Sequence, residues 1–190
     1  MFEFKRLQDI ATIYNDRRIS VRGTERLLRR GPYPLYVETG TVPFDDFFFD
    51  GSFIVLGSLC NVENEHGCFA AQKATGKFAV TDLYHVLSCD NEADTCYLRE
   101  VLSRIPVRGR ADAGSQSMRL SENSLRHLPI PWPEQEARQE FAAFVDAHRQ
   151  KMDAISAQLR DCLEIGLALT DEALSEGGGR RCQLNDLCEV

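Results

Sequence analysis

The side chains in this sequence best suited to chemistry are its arginines, and they come in two blocks. Residues 1–30 carry eight Lys/Arg against four Asp/Glu, and residues 96–130 carry six against three. Every cation in the two blocks except Lys5 is an arginine. Its planar, permanently charged fork fits both phosphate oxygens and the edge of guanine. Two acidic stretches, 31–95 and 131–190, bring the net charge to −7, and that sum alone argues mildly against nucleic acid. The candidates for direct contact are Arg22, Arg26, Arg29 and Arg30 just before GPYPLY, Lys73 and Lys77 flanking Ala74-Thr75-Gly76, and Arg108, Arg110, Gln116 and Arg119 in a polar Gly/Ser loop. Tyr36, with Tyr33 beside it, offers a ring that can stack on a base or bound a groove. The same arginines also suit a solvated helix face, and the same tyrosines suit a core. Residue type leaves both readings open.

Bond-making chemistry is scarce. There is no P-loop, no H-E-x-x-H, no glycine-rich loop after a strand to hold S-adenosylmethionine, and no Asn/Asp-Pro-Pro-Tyr/Phe signature of amino methylation. Cys60 or Cys68 with His85 makes a conceivable nucleophile and base, but no spacing favours the pair, and His85 within LYHVL reads as a buried structural histidine. The seven cysteines are odd in number and form no C-x-x-C pair, so they read as reduced thiols of a cytoplasmic protein. No metal and no cofactor are expected. No apolar run approaches the roughly 20 residues of a membrane helix, and MFEFKRLQDIATIYNDRR lacks the apolar core of a secretory signal.

The elements that must carry these residues divide in two. Residues 1–130 read as a mixed α/β domain. LQDIATIY (7–14) has the apolar spacing of a short helix, and TCYLREVLSRIP (95–106) that of a longer one ending at Pro106. FFFDGSFIVLGSL (47–59) reads as two strands around Asp50-Gly51, and 67–89 as two more around Ala74-Thr75-Gly76, which would place Lys73 and Lys77 at a hairpin tip. Ser121 and Ser124 are possible helix caps. LRHLPIPWP then refuses helix, because Pro129, Pro131 and Pro133 follow one another at alternate positions.

A long helix is expected from near Pro133 to Glu176, before Gly177-Gly178-Gly179. Phe141, Val145, His148, Met152, Ile155, Leu159, Cys162, Gly166, Leu169 and Ala173 follow one another at alternating steps of four and three. That is a coiled-coil heptad stripe, weakened at His148 and Gly166, and it calls for a partner helix. The final CQLNDLCEV (182–190) echoes KRLQDIATI (5–13), as if a second globular unit were beginning.

Several segments resemble one family, the DNA specificity subunits of type I restriction-modification systems, in a half-length form. KRLQDIATI is similar to that family's opening K-L-G-D-I-A-x-I, GPYPLYVETG to its G-x-Y-P-V-Y-G-x-x-G, FFFDGSFIVLG to its D-G-x-x-I-L-I-G strand, and TGKFAVTDLYHVL to its G-K-F…H-V-L segment. GSQSMRLSENSLRHLPIPWPEQEARQEF (114–141) carries the most specific match, to the family's G-S-x-Q-P-K-L-S…I-P-I-P-L-P run. Val37, Ser117-Met118-Arg119 and Trp132 depart from the pattern and put local loop geometry in doubt. The resemblance implies an α/β (α+β) target recognition domain over 1–130 with a twisted mixed sheet and short helices. It implies a spacer and dimerisation helix over 131–176, and the start of a second repeat over 177–190. It further implies a non-catalytic subunit that reads one half of a split site in double-stranded DNA. Its partners would be a methyltransferase (modification) subunit, a second copy of itself paired through Phe141, Val145, His148, Met152, Ile155, Leu159, Cys162 and Leu169, and, through that complex, a restriction subunit. The rival expectation is a truncated or decoy protein that occupies the methyltransferase without reading DNA.

Overall fold

The structure, a computed structural model, describes residues 3–113 and 118–176. It divides into two compact units, 1–143 and 144–190.

The first unit is built on a six-stranded mixed sheet. Its strands are β2 (Thr12–Ile13), β3 (Tyr33–Val37), β4 (Gly40–Phe44), β5 (Phe49–Gly57), β6 (Ala71–Val80) and β7 (Tyr84–Ser88), in the order β2-β7-β5-β6-β3-β4. The β3–β6 pair is parallel and the others are antiparallel. Strand alternation gives the sheet two apolar faces. Ile54 and Leu56 join a core with Leu98 and Leu102 of helix α2 (Glu92–Leu102), while Val55 joins Phe49, Phe78, Val80, Tyr84 and Val86 on the other side.

The middle of this sheet corrects the expected turns. Asp50-Gly51 is not a turn; β5 runs straight through it, and β6 runs straight through Ala74-Thr75-Gly76. Gly51 and Gly76 instead lie directly opposite one another in the ladder, with φ of 134° and 76°. Only glycine enters that region without strain, so the paired glycines mark a bend in both strands. A bend is also demanded by connectivity. Phe78 pairs with Phe49, yet the chain needs only residues 81–83 after β6 to reach Tyr84, which pairs with Gly57 at the far end of the same strand. The ladder must coil back on itself, and Phe49, Phe53 and Phe78 form an aromatic cluster on one of its faces.

The stretch 7–14 is also not the expected helix. It makes a single 3-10 turn at Leu7–Asp9 and then enters β2, where the Tyr14 N–H donates to Val86 O. Sheet pairing outbids a weak helical pattern of only eight residues. The helix expected over 95–106 forms over 92–102, because Asn91 caps it by accepting from the Asp94 N–H and places Glu92 and Asp94 in its first turn. Ser121 caps α3 (Glu122–Arg126) as expected, accepting from the Ser124 N–H.

Two small ladders complete the unit: β8 (Asp112–Ala113) with β9 (Met118–Arg119), and β1 (Glu3–Arg6) with β10 (Pro129–Trp132). Helix α4 then runs over Gln135–Glu176. Its first turns, through Ala143, belong to the first unit, where Arg138 and Ala142 are buried. In the second unit every residue from Gln150 to Thr170 is exposed. Residues 177–190, including the CQLNDLCEV echo, lie outside the described residues.

Candidate nucleic-acid interface

The first arginine block surrounds α1 (Gly23–Leu28). Arg22 precedes the helix and Arg30 follows it; both are exposed and neither has an ion-pair partner among the described residues. Arg26 is half-buried and lines a groove of about 300 Å³ with Gly23, Leu27, Arg30, Val42 and Pro43. Arg29 differs from its neighbours. It donates through Nε to Asp45 Oδ2 at 3.1 Å, pairs with Asp45 Oδ1 at 2.9 Å, and lies 4.4 Å over the Phe44 ring. The hydrogen bond to Asp45 lifts its pKa above the usual arginine value. Arg29 thus clamps the end of α1 onto the end of β4. Gly31 allows that approach, since a side chain there would overlap the Asp45 backbone.

Lys73 and Lys77 do not sit at a hairpin tip. Both lie within β6, opposite Ile54 and Asp50. Lys73 is paired at 3.0 Å with Glu92, at the start of α2. Lys77 is exposed and lies 4.6 Å over the Phe47 ring, which in turn touches Tyr33 at 4.9 Å. Lys77 and Arg29 therefore meet the same turn, residues 45–48. Tyr36 is half-buried, edge-on to Phe78 and Tyr84, and burial pushes its hydroxyl pKa up. Its ring belongs to the core of the coiled ladder more than to a surface.

The second block follows α2. Arg108, Arg110 and Arg119 are all exposed. The buried Val107 anchors the segment through its N–H to Gly67 O, and Gly109 turns it with φ of 79°. The Arg110 side chain donates to the Pro106 carbonyl at 3.3 Å, and Arg119 stands opposite Asp112 across β8–β9. Asp112 is held below the ordinary carboxylate range by hydrogen bonds from Ser124 and Ser121. Gln116 lies outside the described residues. The structure thus gathers Arg22, Arg26, Arg29, Arg30 and Lys77 around α1 and the 45–48 turn, and puts Lys73 and Arg108, Arg110 and Arg119 with α2 and the loop after it.

His85 connects the sheet to that loop. It is buried; its Nε2–H donates to Leu120 O at 2.8 Å, and its Nδ1 accepts from Asn15 Nδ2 at 2.9 Å. The same amide donates to Glu122 Oε2 at 2.8 Å. Desolvation lowers the His85 pKa, and both ring nitrogens are committed as a neutral imidazole, so the ring is no general base. Burial pushes the thiols of Cys60 and Cys89 up, the latter to about 12, far from a thiolate nucleophile at neutral pH. No cluster of ligating side chains for a metal occurs among the described residues.

Sequence reasoning missed a buried ion pair. Arg138, on the first turn of α4, grips Asp94 with two bonds, 2.6 and 3.1 Å, with both side chains about 10% exposed. Its guanidinium lies 4.4 Å over the Trp132 ring and also donates to Pro133 O. Trp132 meets Tyr97 edge-on at 5.6 Å, and Tyr97 meets Phe141 at 5.5 Å. The proline hinge is therefore locked to α2 by one buried ion pair and three rings. Arg17, over Phe49 at 5.0 Å, was likewise missed. Nothing in local spacing signals a pair 44 residues apart; only the arginine in an otherwise acidic first turn hints at it.

Of the expected dimer seam, Phe141 meets Tyr97 and packs, partly buried, against the core of the first unit. Val145 is half-buried; His148 donates to Phe144 O at 2.9 Å and stacks on the Phe144 ring. Met152, Ile155, Leu159, Cys162 and Leu169 are exposed, as are Leu163, Ile165 and Leu167 beside them.

No family model matches the chain. A protein of Haemophilus influenzae named as a type I restriction enzyme specificity subunit is 25% identical over 149 residues, 76% of this chain and 37% of that protein. The crystal structure of a type I restriction-modification S subunit from M. genitalium matches with a TM-score of 0.64 at 14% identity, over 90% of this chain and 44% of that one. A structure from work on complex assembly and conformational transition of the type I system matches at 0.54 and 15% identity, over 88% and 43%. The chain spans less than half the length of each. By sequence and by fold, the chain is similar to part of the type I restriction-modification specificity subunits, over less than half of their length.

Proposed function

We propose that this chain is the non-catalytic DNA-recognition subunit of a type I restriction-modification system. Its first unit would read one half of a split target. The stripe on α4 would pair with a second copy and so bring two such units to one duplex. The assembled pair would position methyltransferase subunits, which bring S-adenosylmethionine, in the cytoplasm where the DNA lies; a restriction subunit would join through them. The observation that carries this reading is the joint match, in sequence and in fold, to one half of specificity subunits. The exposed seam supports the homodimer. Burying a Leu or Ile side chain is worth roughly 1.5–3 kcal/mol, and Met152, Ile155, Leu159 and Leu169 all await a cover. Arg22, Arg30 and Arg108, without an ion-pair partner among the described residues, support DNA contact.

A second reading, occupation of the methyltransferase without DNA reading, draws support from the net charge of −7 and from the internal pairing of Arg29 and Lys73. Methylome sequencing of cells carrying the chain with its methyltransferase separates the two. The first expects a defined bipartite, pseudo-palindromic methylated motif that vanishes in Arg30→Glu/Arg108→Glu. Absence of any motif, with the methyltransferase still bound, leaves only the second.

A further inference from the structure

Leu28 is the most exposed large apolar side chain among the described residues, at 88%, and Leu27 beside it is 65% exposed. Leu28 is the last residue of α1, immediately before the Arg29–Asp45 clamp. The Asp45 N–H also donates to Arg29 O at 3.1 Å, so the position is held firmly from behind. The two leucines differ. Leu27 lies along the groove with Val42 and Pro43, whereas Leu28 does not line it and stands free. The charge around them is Arg22, Arg26 and Arg30 against Glu25, with Asp45 and Asp46 already engaged by Arg29.

A single exposed leucine needs no explanation. A braced pair among arginines is a different object. Arginine suits phosphate, and leucine is among the few side chains that wedge between stacked base pairs. We infer that Leu28, backed by Leu27, is an apolar wedge that enters a base step of bound duplex DNA while Arg22, Arg26 and Arg30 hold flanking phosphates. Charge complementarity selects this occupant: a duplex offers phosphate beside apolar stacked surface at every step, whereas a protein partner must supply an acidic rim and an apolar socket together. The inference rests on the DNA-recognition reading and extends it. Opening a step costs least at pyrimidine–purine dinucleotides. The half-site therefore contains a preferred flexible step that no side chain reads by hydrogen bonding.

The test uses the full chain with its methyltransferase and end-labelled duplexes from a random-sequence pool selected on the wild-type complex. Bending is read by energy transfer between the ends, and affinity by titration at several salt concentrations. Leu28→Ala is expected to bind about tenfold more weakly, to straighten the duplex and to lose the preference for the flexible step, with an unchanged salt slope. Leu28→Met is expected to retain all three properties. Circular dichroism checks folding, which an almost fully exposed residue does not control. Unchanged bending and affinity in Leu28→Ala overturns the wedge and leaves DNA recognition standing. Loss of methyltransferase co-purification with bending intact also overturns it, making the patch a protein interface. A wild-type complex that binds no duplex overturns the underlying reading, and the wedge with it.

Discussion

Helix α4 contains two regions with opposite fates. Through Ala143 its apolar side is covered by its own chain: Phe141 lies against Tyr97, and Ala142 is 5% exposed. From Gln150 to Thr170 the heptad stripe covers nothing among the described residues, and Met152 and Leu159 stand about 60% exposed. The difference teaches that a stripe announces burial without naming the partner. The first region found its counter-surface in α2 and Trp132; the second has none within the described residues. Heptad register alone does not say where along the stripe the cover changes, because the period runs on unbroken from Phe141.

The largest expected effect breaks the second region. Ile155→Asp/Leu159→Asp should weaken self-association by more than about 100-fold, since each charge would have to be buried in an apolar seam. Sedimentation velocity across a concentration series reads this directly, and a wild-type chain that sediments as a monomer throughout removes the dimer. Breaking the first region should instead cost stability without changing association. Asp94→Ala strands the buried Arg138 guanidinium and should cost about 3 kcal/mol in chemical denaturation. Adding Arg138→Met should restore much of the loss, because no orphaned charge remains.

How far these regions could be foreseen depends on the range of the interactions that build them. The long helix was legible because no glycine or proline interrupts Gln135–Ile165, and its period is local. The strand at Phe49–Gly57 was split in error, because Asp50-Gly51 is a turn signal within its own stretch. Only the facing Gly76, on another strand, reveals a bend instead. That one mistake moved Lys73 and Lys77 to a tip they do not occupy. Arg29 likewise looked free until Asp45 was found beside it. The arginine blocks themselves were visible as composition; which arginines remain unpaired was not.

Smaller effects sharpen the contrast further. Arg108→Ala should reduce the salt slope of DNA binding by about 1 in fluorescence anisotropy, while Lys73→Ala, already paired with Glu92, should leave it nearly unchanged. The smallest effect concerns His85. Its folded pKa lies below its unfolded one, so the unfolded chain takes up the proton first as pH falls. The stability His85 contributes is complete above about pH 6.5 and declines as pH falls toward the folded value. The lowered pKa of Glu122 adds a loss in the same direction at more acidic pH. Denaturation midpoints at successive pH values should show the upper decline in the wild type and its absence in His85→Gln.

The β1–β10 ribbon carries one more implication. Pro129 and Pro131 stand opposite Arg6 and Phe4 and have no N–H to give. Only Ile130 and Trp132 can donate, so these must face β1, and the outer margin of β10 presents no donor at all. An incoming chain therefore finds nothing there to zip onto. The prolines that precede the long helix thus also make this rim of β10 sterile toward fibril-like growth.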